Sequence, residues 1–228
     1  NRVVKFAESV KTMLENKKIK DFKLYTSLEA WGARAEYMRR GLNQDLWLQN
    51  VETYLSTVPT NVSVSIMCTY NILCVASFRP FLEKILELRA KWGKERISFD
   101  TPYLKEPPHW MINLLPDYWV RYIDSDMEFI KDNITPYGSQ SGFSEHEWEK
   151  MKRVRNYFVQ GGPRITPELI AEGRKDFYNF FNELDKRRNT DLLNTFPEMS
   201  DFYYLPGFSY ESLMLAGGKE KFIEYLFV

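Results

Sequence analysis

The chain has 228 residues, of which 44% are hydrophobic and 27% charged, a globular composition with enough apolar material for a sizeable core. Lys plus Arg equals Asp plus Glu at 31 each, so no global charge draws the chain to nucleic acid or to an anionic membrane. No apolar run approaches the ~20 residues that span a bilayer. The opening residues are amphipathic and carry no signal-peptide pattern. Two cysteines, Cys68 and Cys74, make no disulfide framework and point to a reducing compartment, the cytoplasm. The first residue is Asn rather than Met, which reads as a cut or a fragment boundary.

In chain order, residues 1–16 read as a helix, with Val3, Phe6, Val10, Met13 and Leu14 at helical spacing. Residues 21–28 alternate and read as a strand. Helical patterns follow at 31–40 and 43–56, broken at Gly41. Beyond Pro59, Val62, Val64 and Ile66 alternate with Ser63, Ser65 and Met67 in a second strand. An amphipathic helix spans 76–92, with Gly93 at its C-terminal cap, and a short strand covers 96–100. Strands alternating with helices predict parallel pairing through right-handed crossovers. Three strands are too few to close a barrel, so they form half of one or a small open sheet.

Past residue 101 the texture changes. Pro102, Pro107 and Pro108 stiffen an extended segment. Helices are expected at 117–132, 144–159, 166–187 and 209–226, with loops at 138–142 and 160–163 and a helix exit at 194–198. The predicted organisation is an α/β part over 1–115 and a mainly helical part over 116–228.

Neither His109 nor His146 sits in a spacing that suggests a metal site or a triad. There is no phosphate-binding glycine loop. Cys68 and Cys74 match no zinc or cluster spacing and read as packing residues. Lys186, Arg187 and Arg188 read as a solvated helix end.

Ser27 and Glu29 fall at the C-terminal end of the first strand, the edge where α/β folds bind ligands. Period two puts both on one face. A hydroxyl and a carboxylate there could hold a ribose or an ammonium group; equally, Ser27 could cap the next helix. Arg39 could fork onto a carboxylate or pair with a helix C-terminus. Thr69, Tyr70 and Asn71 end the second strand on the same edge.

The stretch from Leu24 to Asn43, LYTSLEAWGARAEYMRRGLN, resembles radical S-adenosylmethionine proteins, closest to the twitch-domain-containing group of phage and environmental sequences. MCTYNIL from Met67 with VASF from Val75, and FDTPYL from Phe99 with Leu114 to Pro116, look like the next units of that group. DKRRNTDLLNTFPE from Asp185 resembles its C-terminal signature. The resemblance covers about residues 20–203. It implies the rear half of a partial (β/α)6 barrel followed by a helical region.

The resemblance also implies S-adenosylmethionine and a 4Fe–4S cluster in the complete protein, the cluster held by a CxxxCxxC loop and cleaving the cofactor reductively to a 5′-deoxyadenosyl radical. Ser27 would contact the cofactor's ribose or carboxylate, with Glu29 on the same edge. Arg39 would grip the carboxylate, Arg40 being the alternative one residue on. Asn71 would lie near cofactor or substrate. This chain lacks CxxxCxxC and the acidic glycine-rich turn, and no cysteine follows Cys74, so its own thiolates bind no cluster. The expectation is a fragment of such an enzyme, contributing part of the cofactor and substrate cradle and not competent for radical chemistry alone. The alternatives are a non-catalytic binding or scaffold protein of the same α/β fold, and an α/β nucleotide-binding protein. A small molecule or peptide would be the substrate; neither nucleic acid nor membrane is indicated as a partner.

Overall fold

A computed structural model describes residues 2–161 and 165–204. Helix α1 (Arg2–Glu15) leads into strand β1 (Phe22–Ser27), helices α2 (Ala33–Met38) and α3 (Gln44–Thr57), strand β2 (Val62–Met67), helix α4 (Arg79–Trp92) and strand β3 (Ile97–Asp100). Helices α5 (Val120–Asp132), α6 (Glu145–Gln160), α7 (Pro167–Arg188), α8 (Leu192–Thr195) and α9 (Ser200–Tyr204) complete the described chain. The α/β class and the mainly helical second part follow the sequence reading. The helix expected at 209–226 lies outside the described residues.

The sheet is parallel throughout, in the order β1-β2-β3. Its register sets Tyr25 beside Ser65 and Ser65 beside Ser98, and likewise Ser27 beside Met67 and Met67 beside Asp100. Alternation then separates two faces. On one, Val62, Val64, Ile66, Ile97 and Phe99 are buried. Phe6 meets both Phe22 and Tyr54 there, at 6.0 and 5.9 Å, and Phe81 meets Phe99 at 5.8 Å. Helices α1, α3 and α4 therefore pack on the same face, the outcome of right-handed crossovers between sequential neighbours. The other face carries Lys23, Tyr25, Ser27, Ser63, Ser65, Met67, Ser98 and Asp100.

Local chemistry moved several helix boundaries. Helix α2 is shorter than the expected 31–40, because Gly32 at φ 74° precedes it and Arg39 is already extended at φ −116°. Helix α4 starts at Arg79 rather than 76, because 71–77 turns on Cys74 N–H to Asn71 O and Ser77 N–H to Cys74 O, 2.9 Å each. The start expected at 117 is a 3-10 turn that becomes α5 at Val120. Helix α6 has the capping box of Ser144 and Glu147.

Both parts of the chain share one core running from Ala7 to Phe202. Arg89, 2% exposed, ties them across residue 115. Its Nε donates to Ile97 O at 2.9 Å, Nη1 to Gly142 O at 2.7 Å, and the fork closes on Glu147. A buried pair with this many partners satisfies the charges it takes out of water.

Candidate functional site

The C-terminal ends of the strands form a continuous edge, because the parallel hydrogen bonding outlasts the strands. Leu28 N–H reaches Met67 O, Cys68 N–H reaches Asp100 O at 2.8 Å, and Tyr70 N–H reaches Pro102 O at 2.7 Å. Ser27, Glu29 and Asn71 all fall on this edge.

Glu29 is 5% exposed and faces Arg39, which stands immediately after α2. Arg39 Nε donates to Glu29 Oε2 at 2.5 Å, and Nη2 donates to Oε1 in a bidentate fork. The turn through Gly32 folds α2 back so that the two side chains meet. That hydrogen bond, ahead of the opposing effect of burial, raises the Arg39 pKa and keeps the guanidinium charged. The pair is lopsided: the Arg39 side chain is 39% exposed and that of Glu29 only 6%. Arg39 thus forms the solvent-facing side of the pair. Its guanidinium forks onto a carboxylate of this chain, and the alternative of pairing with a helix C-terminus is not what it does. Arg40 is exposed and outside these bonds.

The Glu29 main-chain carbonyl accepts from two thiols, Cys68 Sγ at 3.8 Å and Cys74 Sγ at 3.6 Å. Both cysteines are free and fully buried. Burial, then the neighbouring Cys74, pushes the Cys68 thiol well up, so it stays a protonated donor. Packing is their role in this fold, as their spacing suggested.

Asn71 lies in the loop after β2, 4% exposed. Its amide is spent on its own loop, donating to Thr69 O and accepting from Leu73 N–H, both at 3.0 Å, with Met38 Sδ of α2 at 3.9 Å. Ser27 does not cap α2, whose cap position is Gly32 with no side-chain bond. Among the described residues the Ser27 hydroxyl has no hydrogen-bond partner. The edge therefore brings together Glu29, Arg39 and Asn71 in contact with one another or with α2, with Ser27 at the end of the adjoining strand.

Sequence reasoning missed three features. Lys150 of α6 reaches over β3 to Asp100 at 3.0 Å, placing an ion pair on the polar face of the sheet. Gln44 Oε1 accepts from Gly32 N–H at 2.6 Å and fixes the turn into α2. Helix α2 is also gripped by the C-terminal segment, through Arg34 to Glu198 at 3.0 Å and Tyr37 OH to Asp185 at 2.8 Å. The serines of the polar face had a signal, the alternation of Ser63 and Ser65 with valines; the long-range contacts had none.

His109 lies against Phe180, with ring centroids 4.6 Å apart, and burial lowers its pKa. His146 is exposed on α6. A hollow of about 650 Å³ opens at the N-terminal end of the polar face, bordered by Lys23, Ser98 and Tyr137. Among the described residues no helix is long and apolar enough to cross a membrane.

The chain matches no family model, no curated protein and no solved structure.

Proposed function

We propose that this chain is the rear part of a radical S-adenosylmethionine barrel and contributes one side of the cofactor and substrate cradle. The observation that carries the reading is the two-faced parallel sheet. Parallel sheets are ordinarily covered on both faces and read as near-continuous apolar runs. Here sequential strand order sets α1, α3 and α4 on one face, and the other presents Lys23, Tyr25, four serines and Asp100. A sheet with its crossover helices α1, α3 and α4 on one face and a polar opposite face has the character of a barrel wall beside a ligand chamber. In this reading the free edge of β1 pairs with a further parallel strand.

The strand-end residues fit the amino-acid headgroup of S-adenosylmethionine. That headgroup carries an ammonium and a carboxylate on one carbon. Glu29 and Arg39 offer the two complementary charges within one ion pair, and the unpartnered Ser27 hydroxyl is available to a ribose. Arg39, the more exposed member, would exchange the Glu29 carboxylate for that of the cofactor, leaving Glu29 to the ammonium. Asn71 shapes the loop beside them. The residues do not fit a thiolate-bound cluster: the two thiols are buried and turned to one carbonyl, and burial pushes the Cys68 thiol well up. In this reading the 4Fe–4S ligands come from another part of the complete protein, in the cytoplasm, and this chain alone performs no radical chemistry.

One observation favours a second reading. Glu29 and Arg39 already satisfy each other, as a structural ion pair would in a non-catalytic scaffold of the same fold.

Titration of the full chain with S-adenosylmethionine separates the two. The proposal expects saturable binding that Arg39→Ala weakens by about 1.5–3 kcal/mol, the scale of a charge-assisted hydrogen bond. Ser27→Ala should cost less, about 0.5–1.5 kcal/mol. Binding unaffected by Arg39→Ala would contradict the proposal and leave the pair a structural one.

A further inference from the structure

We infer that Asp185 and Glu198, in the segment following and ending α7, are positioning residues that hold α2 so that Arg39 is presented at the strand ends. The inference rests on the proposed role of Arg39 as the carboxylate grip.

Helix α2 has six residues and an N-cap, Gly32, without a side-chain bond. A helix this short has little stability of its own, so its direction must come from tertiary contacts. Those contacts come mostly from residues about 150 positions away in sequence. Tyr37 OH donates to Asp185 Oδ1 at 2.8 Å. Arg34 Nη2 donates to Glu198 Oε2 at 3.0 Å, and the Arg34 guanidinium lies over the Phe196 ring at 5.3 Å. Arg188 Nη1 donates to the Tyr37 carbonyl at 3.3 Å, two residues before Arg39. The Tyr37 ring meets Phe196 edge-on at 5.6 Å and stacks on Phe181 at 6.3 Å.

Asp185 is itself held in place. It accepts from Thr190 Oγ1 and from Leu192 N–H, at 2.7 Å each, as well as from Tyr37. Three donors on one carboxylate fix its orientation. Burial, reinforced by Asp185, raises the Tyr37 pKa, so the phenol keeps the proton it donates. The same Arg34 guanidinium donates through Nη1 to Ala76 O at 3.2 Å, tying α2 to the loop that carries Cys74. Helix α2 is thus held between the second strand's loop and the C-terminal segment. The only chain between this clamp and Arg39 is Met38.

A positioning role and a merely structural one differ in what they do to selectivity. A general loss of stability weakens every ligand alike, whereas a displaced Arg39 specifically loses the carboxylate. The test measures dissociation constants of the full chain for S-adenosylmethionine and for its decarboxylated analogue, which lacks that carboxylate. The wild type should prefer the carboxylate-bearing ligand. Asp185→Asn should shrink this preference about threefold to tenfold, the effect of losing one oriented hydrogen bond. Tyr37→Phe, a milder change that keeps the ring packing, should shrink it in the same direction. Val154→Ala, a cavity in the core of α6 remote from the clamp, should lower stability and leave the preference unchanged. Preference retained in both clamp variants would overturn the clamp while leaving the Arg39 reading standing. A wild type with no preference would overturn the Arg39 reading and the clamp's role with it.

Discussion

Asp126 is the carboxylate whose environment most changes its chemistry. Burial, opposed by the Arg79 guanidinium at 2.9 Å, pushes its pKa up to about 6. In the unfolded chain it titrates near about 3.9. The folded state therefore binds the Asp126 proton more tightly, and the resulting stability is fully present below about pH 4 and lost as pH rises through about 6. The effect is on the order of 3 kcal/mol. Urea unfolding of wild type and Asp126→Asn across this window should show the dependence in the wild type alone, once the changes common to both are subtracted. Glu29 is buried as deeply, yet its partner Arg39 can turn to water, which is what suits that pair to exchange partners.

At the scale of elements, the turn at Gly142 has a sharp requirement. Its φ of 100° lies in the region that favours glycine, and a Cβ would fall 2.8 Å from Asn133 O and closer still to Thr135. Gly142 O also receives Arg89. Gly142→Ala should destabilise the chain by about 2 kcal/mol or more, through strain and overpacking together, measured as a lowered thermal midpoint. The strands and most helices were legible in sequence because alternation and helical spacing are local signals: Val62, Val64 and Ile66 mark the buried face of β2 by themselves. Helix α2 was legible only in part. Its end at Met38 depends on the extended Arg39, and that depends on the bond to Glu29 ten residues earlier. Glu29 and Arg39 were visible as strand-end polar residues, but their pairing needs the turn at Gly32. The grip of Asp185 and Glu198 on α2 spans most of the chain and leaves no local pattern.

At the scale of the molecule, the change of texture past residue 101 coincides with the end of the sheet at Asp100, yet packing runs across it. The fork of Arg89 on Glu147, the ion pair of Lys150 with Asp100, and the contacts of Arg34 and Tyr37 with the C-terminal segment bind the helical part to the sheet. Breaking a buried pair such as Arg89 with Glu147 typically costs about 3–5 kcal/mol, because one charge is left without its partner. The helical part thus closes one side of the polar face, and its C-terminal segment steadies the helix that leads to the candidate site. In the proposed reading the strand ends of β1 and β2 form part of a cradle for S-adenosylmethionine. Backbone amide shifts of the full chain, recorded as S-adenosylmethionine is added, test it most directly. Saturable shifts centred on Ser27, Glu29, Arg39 and Asn71 are expected. Absence of shifts, or shifts confined to the opposite end of the polar face around Lys23 and Tyr137, would contradict it.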